Sequence, residues 1–395
     1  MNKQLGGAIF LTCLLQQPAC ALDVADGRLE LNAYGTYGFM RSLAAGVNYR
    51  PTDSYQYSVG NDWSGRFDNR LGIQATFHAT NQVSLIAQLL VRRNGADEVR
   101  GELPWAYLRW QPDANWELRL GRFRQPLFLI TESFDVGYAH LWVRPPAELY
   151  TLAGEMTSLN GMQLRYRESV AGYTLTGTLH AGHSEVKRPT YTSRNQPNVG
   201  GSLALTDQNL TLQATLINAN TQVDIPAISQ VVNLIAAQNP DVANEYALGH
   251  VPNMWYGALS ARYEKNGWQL ISELASTRLQ RRSMRDRTAW YVTLGKNLGD
   301  WTPYISYASN KVRDGFFQED RVSGNAAMAA NALLLRRYTN QHTWSLGVRW
   351  DVASGIALKA QWDQVHPEIN GLQMARLPDG EKHFNVVSVI ADWAF

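Results

Sequence analysis

The chain has 395 residues, a formal net charge of +2 and 45% hydrophobic residues. So even a charge balance excludes the strongly basic surface that nucleic-acid binding requires. A mean hydropathy of −0.30 excludes a bundle of membrane helices but suits a wall with one apolar and one polar face.

The N-terminus reads as a secretory signal. Lys3 supplies positive charge, an apolar run covers 5–15, and Ala19-Cys20-Ala21 offers a small-residue cleavage site. The run is shorter than the roughly 18 apolar residues a spanning helix needs. Gln17-Pro18-Ala19 is a poor lead-in for a lipoprotein cut before Cys20. A signal over 1–21 and a mature chain from Leu22 are therefore expected, in a compartment beyond the inner membrane. Cys13 and Cys20 both lie in the signal. Residues 22–395 thus contain no disulfide, thiol nucleophile or cysteine metal site.

From there, apolar and polar residues alternate in segment after segment. Leu71/Ile73/Ala75/Phe77 is followed by Val83/Leu85/Ala87/Leu89/Val91, then Tyr173/Leu175/Gly177/Leu179/Ala181 and Leu210/Leu212/Ala214/Leu216. Trp255/Gly257/Leu259/Ala261/Tyr263, Trp344/Leu346/Val348/Trp350 and Ile356/Leu358/Ala360/Trp362 continue the pattern. A strand alternates faces with period two, so each segment has an oily and a wet side. Segments of about ten residues match tilted strands crossing a bilayer. Short Asn-, Asp- and Gly-rich connections (80–82, 111–115, 168–172, 207–209, 264–267, 296–300, 351–355) alternate with long ones. The long ones cover about 40–66, 93–103, 121–156, 182–200, 218–252, 279–287, 309–341 and 366–382. The fold class expected is all-β: a transmembrane antiparallel barrel of about sixteen strands, with short periplasmic turns and long external loops. Trp110, Trp116, Tyr166, Tyr173, Tyr263, Trp268, Trp301 and Trp350 sit beside the short turns, where a headgroup-level girdle belongs. A soluble β-sandwich also alternates, but has no reason to gather tryptophan at its turns.

The last segment, Val387/Val389/Ala391/Trp393/Phe395, ends on phenylalanine. In this it resembles outer-membrane β-barrel proteins, whose closing strand ends in a phenylalanine read by the assembly machinery.

Strand parity points Arg70, Arg92, Arg109, Arg119, Arg165, Arg167, Arg262, Arg349 and Lys359 inward. The inward acids are Glu30, Glu117, Glu273, Asp363 and Asp392. Facing lipid at the midplane would cost about 2–4 kcal/mol for each Arg or Lys, so energetics and parity agree. A lumen this polar favours water over a dry plug. The basic excess favours mild anion preference, unless each arginine pairs with a neighbouring acid and leaves little net field.

The connection over 121–156 is too apolar and aromatic for a solvated loop of its length. Folded inward, it places Arg122, Arg124, Glu132, Asp135 and Arg144 across the lumen as a constriction. Its lead-in, Leu118-Arg119-Leu120-Gly121-Arg122-Phe123-Arg124-Gln125-Pro126-Leu127, is similar to the glycine–basic–aromatic–basic–x–proline segment of phosphate-selective and related porins. With the strand count, long third loop and terminal phenylalanine, the mature chain resembles trimeric bacterial porins. That resemblance implies a homotrimer. The phosphate-selective channels' run of lysines and arginines is missing. Apolar recurrence over 227–237 and 325–337 predicts helices packed on the barrel rim or on partner subunits.

An enzymatic barrel would need a nucleophile and base together. There is no Gly-x-Ser-x-Gly elbow. His78 and His180 have inward parity, and His180 with His183 lacks a third metal ligand nearby. Hence no metal and no cofactor are expected. The function expected is passive diffusion of small hydrophilic solutes and ions through an outer-membrane channel. A non-transporting adhesin or scaffold, or an outer-membrane hydrolase, is the alternative.

Overall fold

The structure, a computed structural model, describes residues 22–24, 27–51, 55–152, 157–188, 191–279, 286–313, 321–335, 340–368, 377 and 381–395. The expected signal at 1–21 lies outside the described residues. After a short β1 (Leu22–Val24) come β2 (Leu29–Ser42), β3 (Arg70–His78), β4 (Val83–Arg93), β5 (Val99–Trp110) and β6 (Trp116–Arg124). Beyond the third loop run β7 (Ser158–Val170), β8 (Tyr173–Arg188), β9 (Tyr191–Thr206), β10 (Leu210–Asp224), β11 (Gly249–Lys265) and β12 (Trp268–Arg278). The chain finishes with β13 (Arg287–Lys296), β14 (Trp301–Val312), β15 (Gln341–Ala353), β16 (Ile356–Pro367) and β17 (Phe384–Ala394).

Strands β2 to β17 form a closed antiparallel barrel of 16 strands, each paired with its sequence neighbours. The seam is β17 against β2, from Val386↔Ser42 to Ala394↔Tyr34. Phe395 extends it by one step. Its N–H donates to the Ala33 carbonyl at 2.7 Å, and its own carbonyl accepts from Ala33 at 2.9 Å. Closure leaves no open edge, which is what a strand wall in hydrocarbon requires.

The alternation places Leu71, Ile73, Leu89, Leu212, Leu216, Leu259, Leu274 and Ile305 on the outside, exposed. Thr76, Gln88, Gln163, Thr178, Ser260, Thr293 and Gln361, of opposite parity, are buried. Aromatics edge the apolar band. At the turn end, Trp301 stacks on Trp350 with centroids 4.9 Å apart, and Trp116 meets Tyr166 at 4.6 Å. At the loop end, Tyr307 packs on Trp290 and Trp344 at 5.3 and 4.7 Å. Asn266 and Gly267, at φ 52° and 76°, make the two-residue β11–β12 turn. Both central residues of such a turn need positive φ, which suits Asn-Gly. No helix of the described residues is long and apolar enough to cross a membrane.

Some expected loops are shorter. In place of 93–103, β4 and β5 close around Asn94, whose side-chain oxygen accepts from the N–H groups of Ala96 (2.9 Å) and Glu98 (3.0 Å). In place of a loop at 182–200, β8 and β9 rise as a tall hairpin, paired from Ser184↔Asn195 to Arg188↔Tyr191 beyond a bulge. That part of the wall stands above the apolar band. Its residues are mostly polar on both faces, so it carries no apolar–polar alternation to read. Helices α2 (Pro226–Ala236) and α4 (Gly324–Leu335) fall where the apolar recurrence placed them; 336–337 lie outside the described residues. A further helix, α3 (Pro240–Tyr246), joins them. Their apolar faces meet one another through Ile235, Val242, Ala243, Tyr246, Ala326 and Ala330, instead of resting on the rim alone.

Leu259 is 61% exposed midway between Trp255 and Tyr263 on β11. We expect Leu259→Arg to destabilise the barrel in vesicles by about 2–4 kcal/mol. Denaturant unfolding followed by tryptophan fluorescence measures this. An unchanged midpoint would put that face outside the hydrocarbon.

Candidate functional site

The third loop spans 125–157, between β6 and β7. At its base the Gln125 N–H donates to the Thr157 carbonyl at 2.9 Å. Just before it, Gly121 sits at φ +132°, where an added Cβ would lie 2.5 Å from the Ala106 carbonyl. The glycine of the basic–aromatic segment is there because β5 comes too close for a side chain.

The loop turns into the lumen and is tied to the wall along its length. The Pro126 carbonyl accepts from Thr215 (3.0 Å) and the Leu127 carbonyl from Tyr256 (2.8 Å). The Leu129 N–H donates to Glu273 at 2.8 Å. Glu273 is 1% exposed and also accepts from Ser260 (2.8 Å), Tyr291 (2.9 Å) and Tyr150. Around this socket, Leu127, Phe128, Ile130, Leu141, Trp142 and Tyr150 bury their apolar surface on the inner face of β10 to β14. The aromatic content that looked wrong for a surface loop is a second core.

Further along, Glu132 accepts from Arg119 (3.0 Å) and Arg165, and Glu117 binds the far side of Arg119 at 2.5 Å. Partial burial would raise the Glu132 carboxyl, but Arg119 and Arg165 outweigh it and hold it down at about 2. Asp135 is 3% exposed, bound by Arg124 and 3.7 Å from Arg92. Burial pushes this carboxyl up, and the fields of Arg124, Arg92 and Arg70 prevail and lower it.

The loop then reaches the opposite wall. Gly137 lies against Asp392, where a Cβ would be 2.1 Å from the carboxylate. Lys359 donates to the carbonyls of Gly137 (2.7 Å) and Trp142 (3.1 Å) and pairs with Asp392 at 2.8 Å. Arg349 donates to the carbonyls of Tyr138 (2.5 Å) and His140 (3.0 Å) and binds Asp351 at 2.7 Å. His140 is buried, which together with Lys359 lowers it to about 3, so it stays neutral. The Trp142 indole donates to Thr293 (2.9 Å), and the Val143 N–H to Gln361 (3.0 Å). Arg144 donates to Asp68 at 2.6 Å and to Ser388 at 2.5 Å. In α1 (Ala147–Tyr150), Glu148 accepts from Gln341 (2.6 Å) and Thr343 (2.5 Å).

The remaining parity-assigned residues also lie on the inner face. Arg70 donates to Thr36 (3.1 Å), Arg109 to Ser84 (3.1 Å), and Arg92 binds Glu102 at 2.8 Å. Arg262 lies 4.0 Å from Glu264, and Arg167 is exposed at the turn end of β7. Glu30 meets His78 at 3.1 Å, and Asp363 accepts from Ser345 (2.6 Å) and Gln361 (2.7 Å).

One expectation is overturned. Arg122 pairs across strands with Ala106 and Asn160, on the face opposite the buried Phe123 and Tyr107. It points outward, donating to the Leu103 carbonyl (2.6 Å) and to Asn160 (3.1 Å). A second expectation is corrected as well. Much of the inward polarity is satisfied by the loop. Glu273, Lys359 and Asp392 are at most 3% exposed. Asp68 and Glu148, which anchor the loop, escaped sequence reading because they lie in loops without strand parity. His180 is buried and contacts Asn198 at 3.2 Å, while His183 lies exposed on the other face. The described residues contain no cluster of ligands poised for a metal.

No protein-family model matches the chain, and no curated protein matches it by sequence. Solved structures do match in fold. The anion-selective porin from Comamonas acidovorans aligns with TM-score 0.54 at 15% identity, over 93% of this chain and 100% of that one. The outer membrane channel DcaP of Acinetobacter baumannii gives 0.52 at 12%, over 95% and 100%. The trimer form of OmpT, an outer membrane protein of Vibrio cholerae, gives 0.55 at 9%, over 93% and 99%. These likenesses show the fold. The chain has the fold of outer-membrane β-barrels, a closed barrel of 16 strands with the architecture of porins.

Lys359→Met would leave the fully buried Asp392 with only the Thr36 hydroxyl as a partner and remove the donor to two loop carbonyls. We expect a loss of about 3–5 kcal/mol in vesicle unfolding, with part recovered in Lys359→Met/Asp392→Leu. Equal losses in both variants would show that the ion pair does not hold the loop.

Proposed function

We propose that this protein is a porin: a passive diffusion channel for small hydrophilic solutes and ions, narrowed by the inward-folded third loop and working as a homotrimer. The observation that carries this reading is the loop itself. It crosses the lumen from Arg119 and Arg165 on one wall to Lys359 and Arg349 on the other, on contacts as specific as those of a core. A loop so placed sets the size and charge of what passes. Neighbours described as a channel, an anion-selective porin and a trimer support each part of the reading.

Mild anion preference is the finer part. Most lumen cations are matched: Arg119 and Arg165 by Glu117 and Glu132, Arg144 by Asp68, Arg349 by Asp351, Lys359 by Asp392. The surplus gathers where Arg70, Arg92 and Arg124 surround Asp135, with Glu102 the other acid there. That patch keeps a net positive charge, and it favours anions at the level of the loop.

The hydrolase alternative has one feature in its favour. Ser84, His78 and Glu30 form a hydrogen-bonded line, with both links 3.1 Å. Ser84 is only 4% exposed and its oxygen is taken by Arg109. A hydroxyl so enclosed is not presented to a substrate carbonyl. The line reads better as cross-strand bonding along a polar inner face.

In planar bilayers under a salt gradient, the reversal potential is expected to favour the anion modestly. Clear cation selectivity would remove the anion preference. Replacing 126–150 by a short Gly/Ser linker should raise the single-channel conductance severalfold, and unaltered steps would mean the loop does not narrow the path.

A further inference from the structure

Above the loop, on the side of the long connections, lies a cavity of about 260 Å³. At about 30 Å³ per water, that is space for roughly nine waters or a small organic solute. Its lining is mixed in charge: Arg144 pairs with Asp68, Arg92 with Glu102 and Arg93 with Asp97, and beside these pairs stand two groups of unequal charge. One end holds Arg70, Arg92 and Arg124. Arg70 forms no ion pair among the described residues; its guanidinium donates to the Thr36 hydroxyl. The other end holds Glu148 and Asp363, 2% and 5% exposed. They accept only neutral donors, Gln341 and Thr343 for Glu148, Ser345 and Gln361 for Asp363. No cation of the described residues lies within ion-pair distance of either. The rings of Phe134, Trp142 and Tyr150 lie along the cavity with them.

A buried carboxylate without a cation is costly, and a basic cluster with a charge to spare is a standing anion site. An ammonium at the Glu148–Asp363 end and a carboxylate at the arginine end would relieve both. Flat rings suit an apolar or aromatic body held in between. From this geometry we infer that the cavity is a binding site for small zwitterions whose ammonium and carboxylate are separated by an apolar body, as in an aromatic dipeptide. Binding there gives the diffusion path a saturable step for this class. The inference rests on the porin reading only for that consequence; the site exists whether or not the barrel conducts.

The test uses the detergent-solubilised full chain and phenylalanyl-glycine as probe, with calorimetry and Trp fluorescence as readouts. The free dipeptide is expected to bind with one site per chain. Its N-acetylated form, lacking the ammonium, and its amidated form, lacking the carboxylate, should each bind at least tenfold more weakly. Asp363→Asn should erase the discrimination against the acetylated form, and Arg70→Gln that against the amide. Equal affinity for all the forms, or no binding by the folded wild-type protein, overturns the proposal. Conductance in planar bilayers is read separately. Binding without channel steps would count against the porin function and leave the site standing, while channel steps without block by a dipeptide that binds would overturn the saturable step alone.

Discussion

Everything in this structure depends on one constraint: a backbone in hydrocarbon must satisfy its own N–H and C=O groups. Strands can do so only by closing on themselves. The seam between β17 and β2, with Phe395 and Ala33 exchanging hydrogen bonds, is where that closure is completed. Closure then dictates parity. Once the sheet is a cylinder, each residue faces either lipid or lumen, and the apolar set has only one permitted side.

A closed cylinder creates a second problem, an inner face rich in polar groups. A simple water-filled pore would solvate them. Here the third loop meets many of those groups itself. Glu273, Lys359, Arg349 and Gln361 act as sockets for loop N–H and carbonyl groups. Each socket satisfies a buried wall residue and a loop backbone group together, so loop and wall are stable only as a pair. The apolar side of the loop contributes in parallel by packing Phe128, Trp142 and Tyr150 on Tyr256, Tyr291 and Tyr304. A long segment can therefore lie in the lumen without secondary structure of any length.

Charge follows the same logic. Carrying Glu132 and Asp135 inward neutralises arginines that would otherwise repel one another across a narrow space. What survives is local: a positive cluster around Asp135 and unpaired carboxyls at Glu148 and Asp363. Selectivity in such a lumen comes from where the uncompensated charges sit, and the total of basic residues is a poor guide to it.

Strand positions, the inward placement of the charged wall residues, the girdle aromatics and the closing strand were all readable from the amino-acid order. Period-two alternation acts locally, and each strand carries its own copy of the signal. The inward fold of the third loop was legible from composition, because Phe128, Trp142 and Tyr150 need cover. Its partners were not, and neither were the role of Asp68 and Glu148, the tall β8–β9 hairpin and the helices packed on one another. Arg122 and Arg124 show the boundary: they share parity and a basic motif, yet Arg122 bonds Leu103 and Asn160 on the outside while Arg124 reaches Asp135 within. What the sequence by itself determined was a closed membrane barrel with a polar interior. Which charges remain unpaired inside it was decided only when the third loop met distant strands, since the hydrogen bond from Leu129 to Glu273 and the one from Lys359 to Gly137 join residues that no local pattern relates.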